Sequence, residues 1–373
     1  MSVNHKRRIR VFLSGVVNST NAQNLNCRAL MKYLDPEKFE VRALSVYSGN
    51  LDLPDGTARR VGKSRLASAF YSTTKAFYPI RYPAKIWHAI QLVRGILWSD
   101  VAYLCKPEHW KLQRFVCRLF GKKSFGTIEG VCSGVAYERA VAVFGGEHGI
   151  REYHGLMTKT YAITKAMIAK NHAAIGLPDP AGVLYLGSDF DEFANATPKT
   201  LLADVILVGA DLKRKGIDDY LVLAQKFSQL KFHVVGGAVG EVDYAAQCAA
   251  AELTNVIFHG SLSHAQLAEL LKDIQLHVFP SRAEGFPKVT LETAAAGVPS
   301  VVYDDYGADE WIEHGKNGFV VKTLDEMAAC IQGLLDEPAK LQLMAEAARM
   351  LAKSFDWKVR VKDWERVIEE LAK

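Results

Sequence analysis

Two glutamates stand eight residues apart in the mostly apolar stretch PSRAEGFPKVTLETAAAGVPSVV, which runs from Pro280 to Val302. Proline is excluded from helix interiors but favoured at the first helical position, so we predict a helix from Pro287 to Gly297. Glu284 then lies in the loop before the helix, and Glu292 lies inside it. Because that helix is apolar on nearly every side, an unpartnered Glu292 would cost roughly several kcal/mol. Glu292 therefore needs hydroxyl groups or a cation.

The start of this predicted helix suits an anion, since the first backbone N–H groups of a helix have no partner within it. Carboxylates on either side can accept hydrogen bonds from sugar hydroxyls. A phosphate site flanked by groups that bind hydroxyls fits a sugar nucleotide. The alternative is that Glu284 caps the helix while Glu292 pairs with a neighbouring lysine.

A second segment, VGADLKRKGID from Val208 to Asp218, combines a glycine turn with a cluster of cations. Gly209 ends a predicted strand, and Lys213, Arg214 and Lys215 follow it. Arginine and lysine side chains neutralise the charge of a leaving diphosphate, so this loop predicts a pyrophosphate site. The alternative is a solvated run of charges before a helix.

Short β-branched runs alternate with helix-length stretches in the second half of the chain, and less regularly in the first half. This alternation predicts α/β domains with parallel sheets and helices on both faces. Such sheets bind ligands outside the carboxyl ends of their strands, and both polar segments above follow strands. The predicted strands are Arg8–Gly15, Phe39–Val46, Lys123–Ile128, Asp204–Asp211, Lys231–Gly237, Asn255–Gly260, Gln275–Ser281 and Val298–Asp304.

A chain of 373 residues is too long for one ordinary core, so we expect two domains. We place them at 1–195 and 196–354, followed by a C-terminal helix at 355–373. The composition, 49% hydrophobic and 23% charged, is that of a soluble globular protein, and no run of 18 apolar residues predicts a membrane span. Six scattered cysteines without a CxxC pair indicate a reduced, cytoplasmic protein with neither a disulfide framework nor a zinc site.

The span 57–126 is strongly basic, with 14 lysines or arginines against two acids, Asp100 and Glu108. It also holds 12 aromatic residues. Basic charge interleaved with aromatic rings suits an anionic membrane surface, and we expect a peripheral location at the cytoplasmic face. One alternative is that this span binds nucleic acid. Another alternative is a basic helical face whose aromatic residues lie in the core.

The combined pattern resembles the nucleotide-sugar-dependent glycosyltransferases of the GT-B fold, specifically the retaining family 4. The mark of that family is E-x7-E within a stretch like PSxxEGFGxxxxEAxAxGxPVV. The resemblance is strong over about residues 180–320 and weak before them. The matching residues are Pro280, Ser281, Glu284, Gly285, Phe286, Glu292, Gly297 and Pro299, with GADLKRKG upstream, Leu186 to Asp189 with Phe193, and Val256, Phe258 and Gly260.

The resemblance implies two Rossmann-like, doubly wound domains that face a cleft, with the donor site in the second. Glu284 would contact the hydroxyls of the donor sugar, and Glu292 the nucleotide ribose. Lys215 with Arg214 would neutralise the leaving diphosphate, so these two and Glu284 are the catalytic candidates. The remaining donor-binding candidates are Gly15, Gly209, Gly260, Gly285, Phe286, Pro287, Lys288 and Val289.

The acceptor side departs from the family pattern. A His-Gly or His-Asp pair usually follows a strand of the first domain, and Glu129-Gly130 stands at that position here. Either Glu129 substitutes for the histidine, or His148 or His154 reaches the site. The pair Asp189 and Asp191 matches a DxD metal motif only by chance, so we expect no metal and no cofactor besides the sugar nucleotide.

We therefore expect a retaining, metal-independent transferase that moves a sugar from a nucleoside diphosphate sugar, by family precedent UDP. The acceptor would be a lipid-linked or cell-surface glycan, and no nucleic acid would bind. One alternative is another GT-B enzyme, such as a sugar-nucleotide epimerase or a phosphorylase. Another alternative is a noncatalytic GT-B scaffold at the membrane.

Overall fold

A computed structural model describes residues 7–18, 22–46, 51–52, 58–59, 75–80, 85–130, 134–237 and 243–373. Contacts divide the chain into a first unit, Met1–Leu186 with Arg360–Lys373, and a second unit, Gly187–Val359. The division falls near the predicted boundary at residue 195, and it assigns the end of the chain to the first unit. Of the basic span 57–126, residues 57, 60–74 and 81–84 lie outside the described residues.

The first unit is built on a six-stranded parallel sheet. Its strands are Ile9–Val16 (β1), Phe39–Val46 (β2), Lys75–Ile80 (β5), Val101–Tyr103 (β6), Lys123–Ile128 (β7) and Lys159–Ala162 (β8), with a separate antiparallel pair of Leu51–Asp52 (β3) and Ala58–Arg59 (β4). The strands of the sheet follow the order β5-β2-β1-β6-β7-β8. The central strands are buried, as expected for a parallel sheet covered on both faces.

Helices connect these strands. The helix Lys165–Ile175 shows how the sequence sets their ends: Thr164 caps its start by accepting a hydrogen bond from the Met167 N–H, and Gly176 ends it in the left-handed conformation. The helices of the first unit are Ala22–Tyr33 (α1), Lys85–Trp98 (α2), Trp110–Leu119 (α3), Gly134–Phe144 (α4), Glu147–His154 (α5) and Lys165–Ile175 (α6).

The second unit repeats the same architecture. Its strands are Asp204–Val208 (β9), Lys231–Val235 (β10), Val256–Gly260 (β11), Leu276–Phe279 (β12), Ser300–Tyr303 (β13) and Gly318–Val321 (β14). They follow the order β11-β10-β9-β12-β13-β14, again parallel throughout. Every residue of β12 and β13 is buried. Both units are therefore doubly wound α/β domains, which confirms the predicted fold class.

The helices of the second unit include the one that carries the second glutamate. The helix predicted from Pro287 begins two residues later, because the Pro287 carbonyl accepts the Thr290 N–H in a turn (3.0 Å). It also ends before Gly297. The helices are Phe190–Phe193 (α7), Ile217–Lys226 (α8), Tyr244–Ala250 (α9), His264–Leu270 (α10), Val289–Ala295 (α11), Leu324–Asp336 (α12), Pro338–Ser354 (α13) and Trp357–Leu371 (α14), whose part from Arg360 belongs to the first unit.

Each sheet changes its winding direction at one point, between β1 and β6 in the first unit and between β9 and β12 in the second. Ligands of doubly wound sheets bind at this switch point, beyond the carboxyl ends of the strands. In the second unit the two loops concerned are those that follow β9 and β12. Among the described residues, no helix is long and apolar enough to cross a membrane.

Candidate functional site

The loops after β9 and β12 meet around one carboxylate oxygen. Lys215 Nζ lies 2.8 Å from Glu284 Oε1, and Arg214 Nη1 lies 3.1 Å from the same oxygen. Ser281 Oγ donates to it as well, at 2.5 Å. The structure thus brings together Glu284, Lys215 and Arg214, which the sequence predicts as catalytic candidates from segments about 70 residues apart.

The same two loops are also joined through their backbones. Arg214 Nη1 donates to the Ala283 carbonyl at 2.9 Å. A Cβ on Gly216, whose φ is +83°, would lie 2.2 Å from the Pro280 carbonyl oxygen. Only glycine fits there, since the backbones approach too closely for a side chain and the left-handed conformation favours glycine. These contacts therefore hold the β9 loop against the β12 loop.

Lys215 is the most enclosed cation of this site, with 9% of the residue exposed. Burial lowers its pKa, and the attraction of Glu284 only partly offsets that effect. Its Nζ lies 5.0 Å from the centre of the Phe279 ring. A Cβ on Gly209 would lie 2.8 Å from both Cγ and Cε of Lys215, so Gly209 leaves the room that the lysine stem occupies.

One carboxylate oxygen of Glu284 accepts no hydrogen bond from the described residues. All three of its hydrogen bonds from described residues end on Oε1, and none ends on Oε2. With its side chain only 8% exposed, a hydrogen bond to Oε2 would form in a largely dry environment, where it is strengthened. Oε2 is therefore placed to accept a hydrogen bond from a hydroxyl group.

Aromatic packing holds the residues that follow Glu284, namely Gly285, Phe286, Pro287, Lys288 and Val289. The Phe286 ring is buried against Trp311, with 4.8 Å between ring centres, and stacks on Phe355 at 5.9 Å. Lys288 Nζ lies 5.7 Å from the centre of the Trp357 ring. The peptide groups of the predicted anion site are thus carried by an anchored segment.

Glu292 lies on α11, outside the cluster around Glu284. Among the described residues, no side chain forms a hydrogen bond or a salt bridge with its carboxylate. Desolvation raises its pKa, while the charges of His264 and Lys288 oppose that rise. Part of the residue still reaches solvent. It is therefore an enclosed carboxyl with unused acceptors.

Three glycines bring the ends of β9, β10 and β11 together beside these loops. The Gly236 N–H donates to the Gly260 carbonyl at 2.8 Å. A Cβ on Gly236 would lie 1.8 Å from the Gly209 carbonyl oxygen. Gly260 itself is left-handed, with φ +65°, and its Cα faces open space. The close approach of bare backbone leaves room beside the carboxyl edge of the sheet.

One residue near this site was not predicted from the sequence. Tyr306 is 2% exposed, and its hydroxyl has no hydrogen-bond partner among the described residues. Burial raises its pKa, and so do the charges of Glu284 and Asp305. An unpaired buried hydroxyl is costly, so Tyr306 is a further candidate for this site. Only the position of Tyr306 after β13 hinted at this role, because tyrosines are common in cores.

The carboxyl edge of the first sheet holds Glu129. Its Oε1 accepts hydrogen bonds from Thr127 Oγ1 at 2.9 Å, Tyr103 OH at 3.2 Å and Asn26 Nδ2 at 3.2 Å. Gly15 lies at the same edge, where a Cβ would be 2.6 Å from Cys27 Sγ; this glycine lets α1 approach β1.

The two histidines proposed for the acceptor side lie elsewhere. The side chain of His148 is 83% exposed on α5, with Nε2 3.7 Å from Glu152. His154 ends the same helix, and its Nδ1 is buried without a hydrogen-bond partner in the described part of the chain. Neither histidine contacts Glu129 there, so the structure does not bring the three acceptor-side candidates together.

The acidic pair near the start of the second unit is engaged in protein contacts, since Asp191 forms an ion pair with Lys358. Within the residues that the structure describes, no group of three or more His, Cys, Asp or Glu side chains is arranged to hold a metal ion.

Solved structures share this two-unit architecture over almost the whole chain. The sucrose-phosphate synthase of Thermosynechococcus elongatus matches with a TM-score of 0.77 and 15% identity, over 98% of this chain and 99% of that one. Anabaena Alr3699/HepE in complex with UDP matches with a TM-score of 0.74 and 17% identity, over 97% and 100%. At such identities the likeness shows the fold alone. That fold is the GT-B fold of glycosyltransferases.

Sequence comparison finds similar proteins for the second unit. Residues 189–351 match the family model for glycosyl transferases group 1. Glycogen synthase of Mycobacterium tuberculosis is 32% identical over 175 residues, which are 44% of this chain and 42% of that enzyme. The chain thus spans less than half the length of this relative. The matching part of the second unit contains both loops of the candidate site, and the match confirms the predicted resemblance to glycosyltransferases.

Proposed function

We propose that the protein is a retaining glycosyltransferase that moves a sugar from a nucleoside diphosphate sugar, UDP-linked, to a lipid-linked or cell-surface glycan. The observation that carries this proposal is the convergence of Lys215 and Arg214 on Glu284 at the switch point of the second sheet. This cluster lies within the part of the chain that matches the family model.

The cations of the cluster suit a departing diphosphate. The Lys215 ammonium has three N–H donors, and among the described residues only Glu284 accepts from it. Its other donors can bind phosphate oxygens, together with the Arg214 guanidinium. Because Lys215 is almost buried, its charge is poorly screened and stabilises negative charge on the leaving group effectively. These side chains would supply the positive charge that stabilises the leaving diphosphate.

The carboxylates suit the sugar parts of the donor. Glu284 Oε2 would accept a hydrogen bond from a hydroxyl of the transferred sugar, and Glu292 from the nucleotide ribose. Catalysis with retention would rest on stabilising the diphosphate and on positioning the reactants. Glu129 would act on the acceptor side, held by its three hydrogen bonds.

The choice of UDP is supported by the Anabaena structure, which holds UDP in the same fold. The lipid-linked acceptor is supported by the basic and aromatic span 57–126. A surface that attracts anionic lipid would bring such an acceptor to the first unit.

The test is a thermal-shift screen of the full chain with UDP, GDP, ADP, CMP and dTDP, each with and without EDTA. We expect UDP to raise the unfolding temperature equally in both conditions. At a ligand concentration of 100 times Kd the gain is about 2.7 kcal/mol. If no nucleotide shifts the transition, the donor site is not functional and the noncatalytic scaffold is the better description. A shift abolished by EDTA would contradict the metal-independent mechanism.

A further inference from the structure

Two helices of the first unit expose large apolar side chains to solvent. On α2, Ile86 is 79%, Ile90 44% and Leu97 37% exposed, and their spacing of four and seven residues places them along one stripe. On α3, Phe115 and Leu119 are each 60% exposed and lie four residues apart. Large apolar side chains grouped and exposed on helix faces in this way indicate an interaction site. We name these two helices the α2–α3 face.

The stripe on α2 borders a groove. Its volume is about 480 Å³, and it is lined by Ile86, Ile90 and Val93 from α2 and by Leu112 from α3. Lys85 and Arg94 also line it, so cationic groups stand beside an apolar floor. A ligand of this groove therefore combines apolar chains with negative charge.

The α2–α3 face is cationic as well as apolar. Between residues 85 and 123 the sequence has eight lysines or arginines and two acids, Asp100 and Glu108. Asp100 is already paired with Arg7 and Arg10, at 2.9 and 2.8 Å. The exposed cations of the two helices are Lys85, Arg94, Lys111 and Arg118.

We propose that the α2–α3 face docks on an anionic phospholipid bilayer. Apolar side chains enter the boundary between headgroups and acyl chains, and the cations bind lipid phosphates. Trp87, 41% exposed on α2, is suited to the headgroup level. The inference rests on the proposed function, because docking on a bilayer would bring the protein to a lipid-linked acceptor.

The charge of the face decides between this partner and two others. A second copy of the chain would bring one cationic face against another, which repels. A nucleic acid would neutralise the cations but would leave Ile86, Ile90 and Leu119 without an apolar partner. A bilayer of anionic lipid satisfies both components at once.

The experiment is cosedimentation of the full chain with vesicles of equal parts phosphatidylcholine and phosphatidylglycerol, and with vesicles of phosphatidylcholine alone. One variant combines Phe115→Ser with Leu119→Ser, and another combines Lys111→Glu with Arg118→Glu. The matched control combines Leu343→Ser with Met350→Ser, because these residues are 69% and 67% exposed on α13 of the second unit.

We expect the parent and the control to bind the anionic vesicles. Each face variant should bind them at least about tenfold more weakly. Unchanged binding by the face variants, or no binding by the parent, would overturn the proposal. A dimer in size-exclusion chromatography that the face variants dissociate, without vesicle binding, would assign the face to a second copy. The UDP shift of every variant is measured in parallel, so loss of donor binding is seen separately from loss of docking.

Discussion

At the scale of single residues, the chemistry of the candidate site rests on the pairing of Glu284 with Lys215. The two side chains have opposite charge and lie 2.8 Å apart, yet they should affect diphosphate binding in opposite directions. Lys215→Ala removes a charge-assisted donor and should weaken UDP binding by about 1.5–3 kcal/mol. Glu284→Gln removes negative charge beside the diphosphate, so UDP should bind as tightly as before or tighter, while sugar transfer is lost.

Isothermal titration with UDP and a transfer assay measure these effects. Stability must be followed as well, because Lys215→Ala leaves a largely buried carboxylate with less compensation. That loss should cost roughly 3 kcal/mol of unfolding free energy. Glu284→Gln should cost less, since its amide oxygen can still accept the same hydrogen bonds. Weaker UDP binding in Glu284→Gln, or equal binding in Lys215→Ala, would refute the assigned roles.

The residue types of the site were predictable, but their contacts were not. Glutamates in the E-x7-E spacing and cations after a glycine turn indicate a sugar-nucleotide site. That Lys215 and Arg214 share one oxygen of Glu284 depends on how strands far apart in sequence pair, which no local pattern encodes. Tyr306 was missed for the same reason, since its unpaired hydroxyl is visible only once the neighbours are in place.

At the scale of elements, glycines decide how closely the loops of the switch point approach. Gly209→Ala would put a Cβ 2.8 Å from the Lys215 stem. We expect a loss of about 1–3 kcal/mol in stability, together with weaker UDP binding as Lys215 is displaced. The control is Gly333→Ala on α12, where a Cβ meets open space, and which should gain about 0.5–1 kcal/mol.

Urea unfolding and UDP titration of both variants test this. If Gly209→Ala behaves like the control, the lysine stem has room to move and Gly209 does not position it. A loss of stability without a change in UDP affinity would show that Lys215 keeps its position after the backbone adjusts.

Most strands of the second unit were predictable from the chain, and several other strands were not. Short β-branched runs located β9 to β13 within a few residues of their observed ends. β6, with three residues, and β14, with four, were not predicted. β5, Lys75–Ile80, lies in the aromatic span, whose composition concealed it. The helix predicted at Pro287 starts late because a turn precedes it.

At the scale of the whole molecule, each unit buries a histidine nitrogen that lacks a hydrogen-bond partner among the described residues. In the second unit it is Nε2 of His277, which is 0% exposed; in the first unit it is Nδ1 of His154. Burial lowers the pKa of His277 from 6.5 to about 3, with a smaller effect from the charge of Lys215. Burial lowers the pKa of His154 to about 4.

These lowered values make the protein sensitive to mild acid. Below pH 6.5 the unfolded chain binds a proton at each histidine that the folded chain does not bind, so stability falls as the pH falls towards the folded pKa. Between pH 7 and pH 5 His277 should account for a loss of about 2 kcal/mol. His154 should account for slightly less, because with a pKa of about 4 the folded chain begins to bind this proton near pH 5.

Urea unfolding of the parent and of His277→Gln at pH 7 and pH 5 measures the contribution of His277. Since glutamine does not titrate, the variant should lose about 2 kcal/mol less than the parent over this interval, whatever its stability at pH 7. The comparison uses the change with pH, so a packing defect common to both conditions cancels. Equal losses in parent and variant would mean that the folded state protonates His277 readily, which its complete burial argues against.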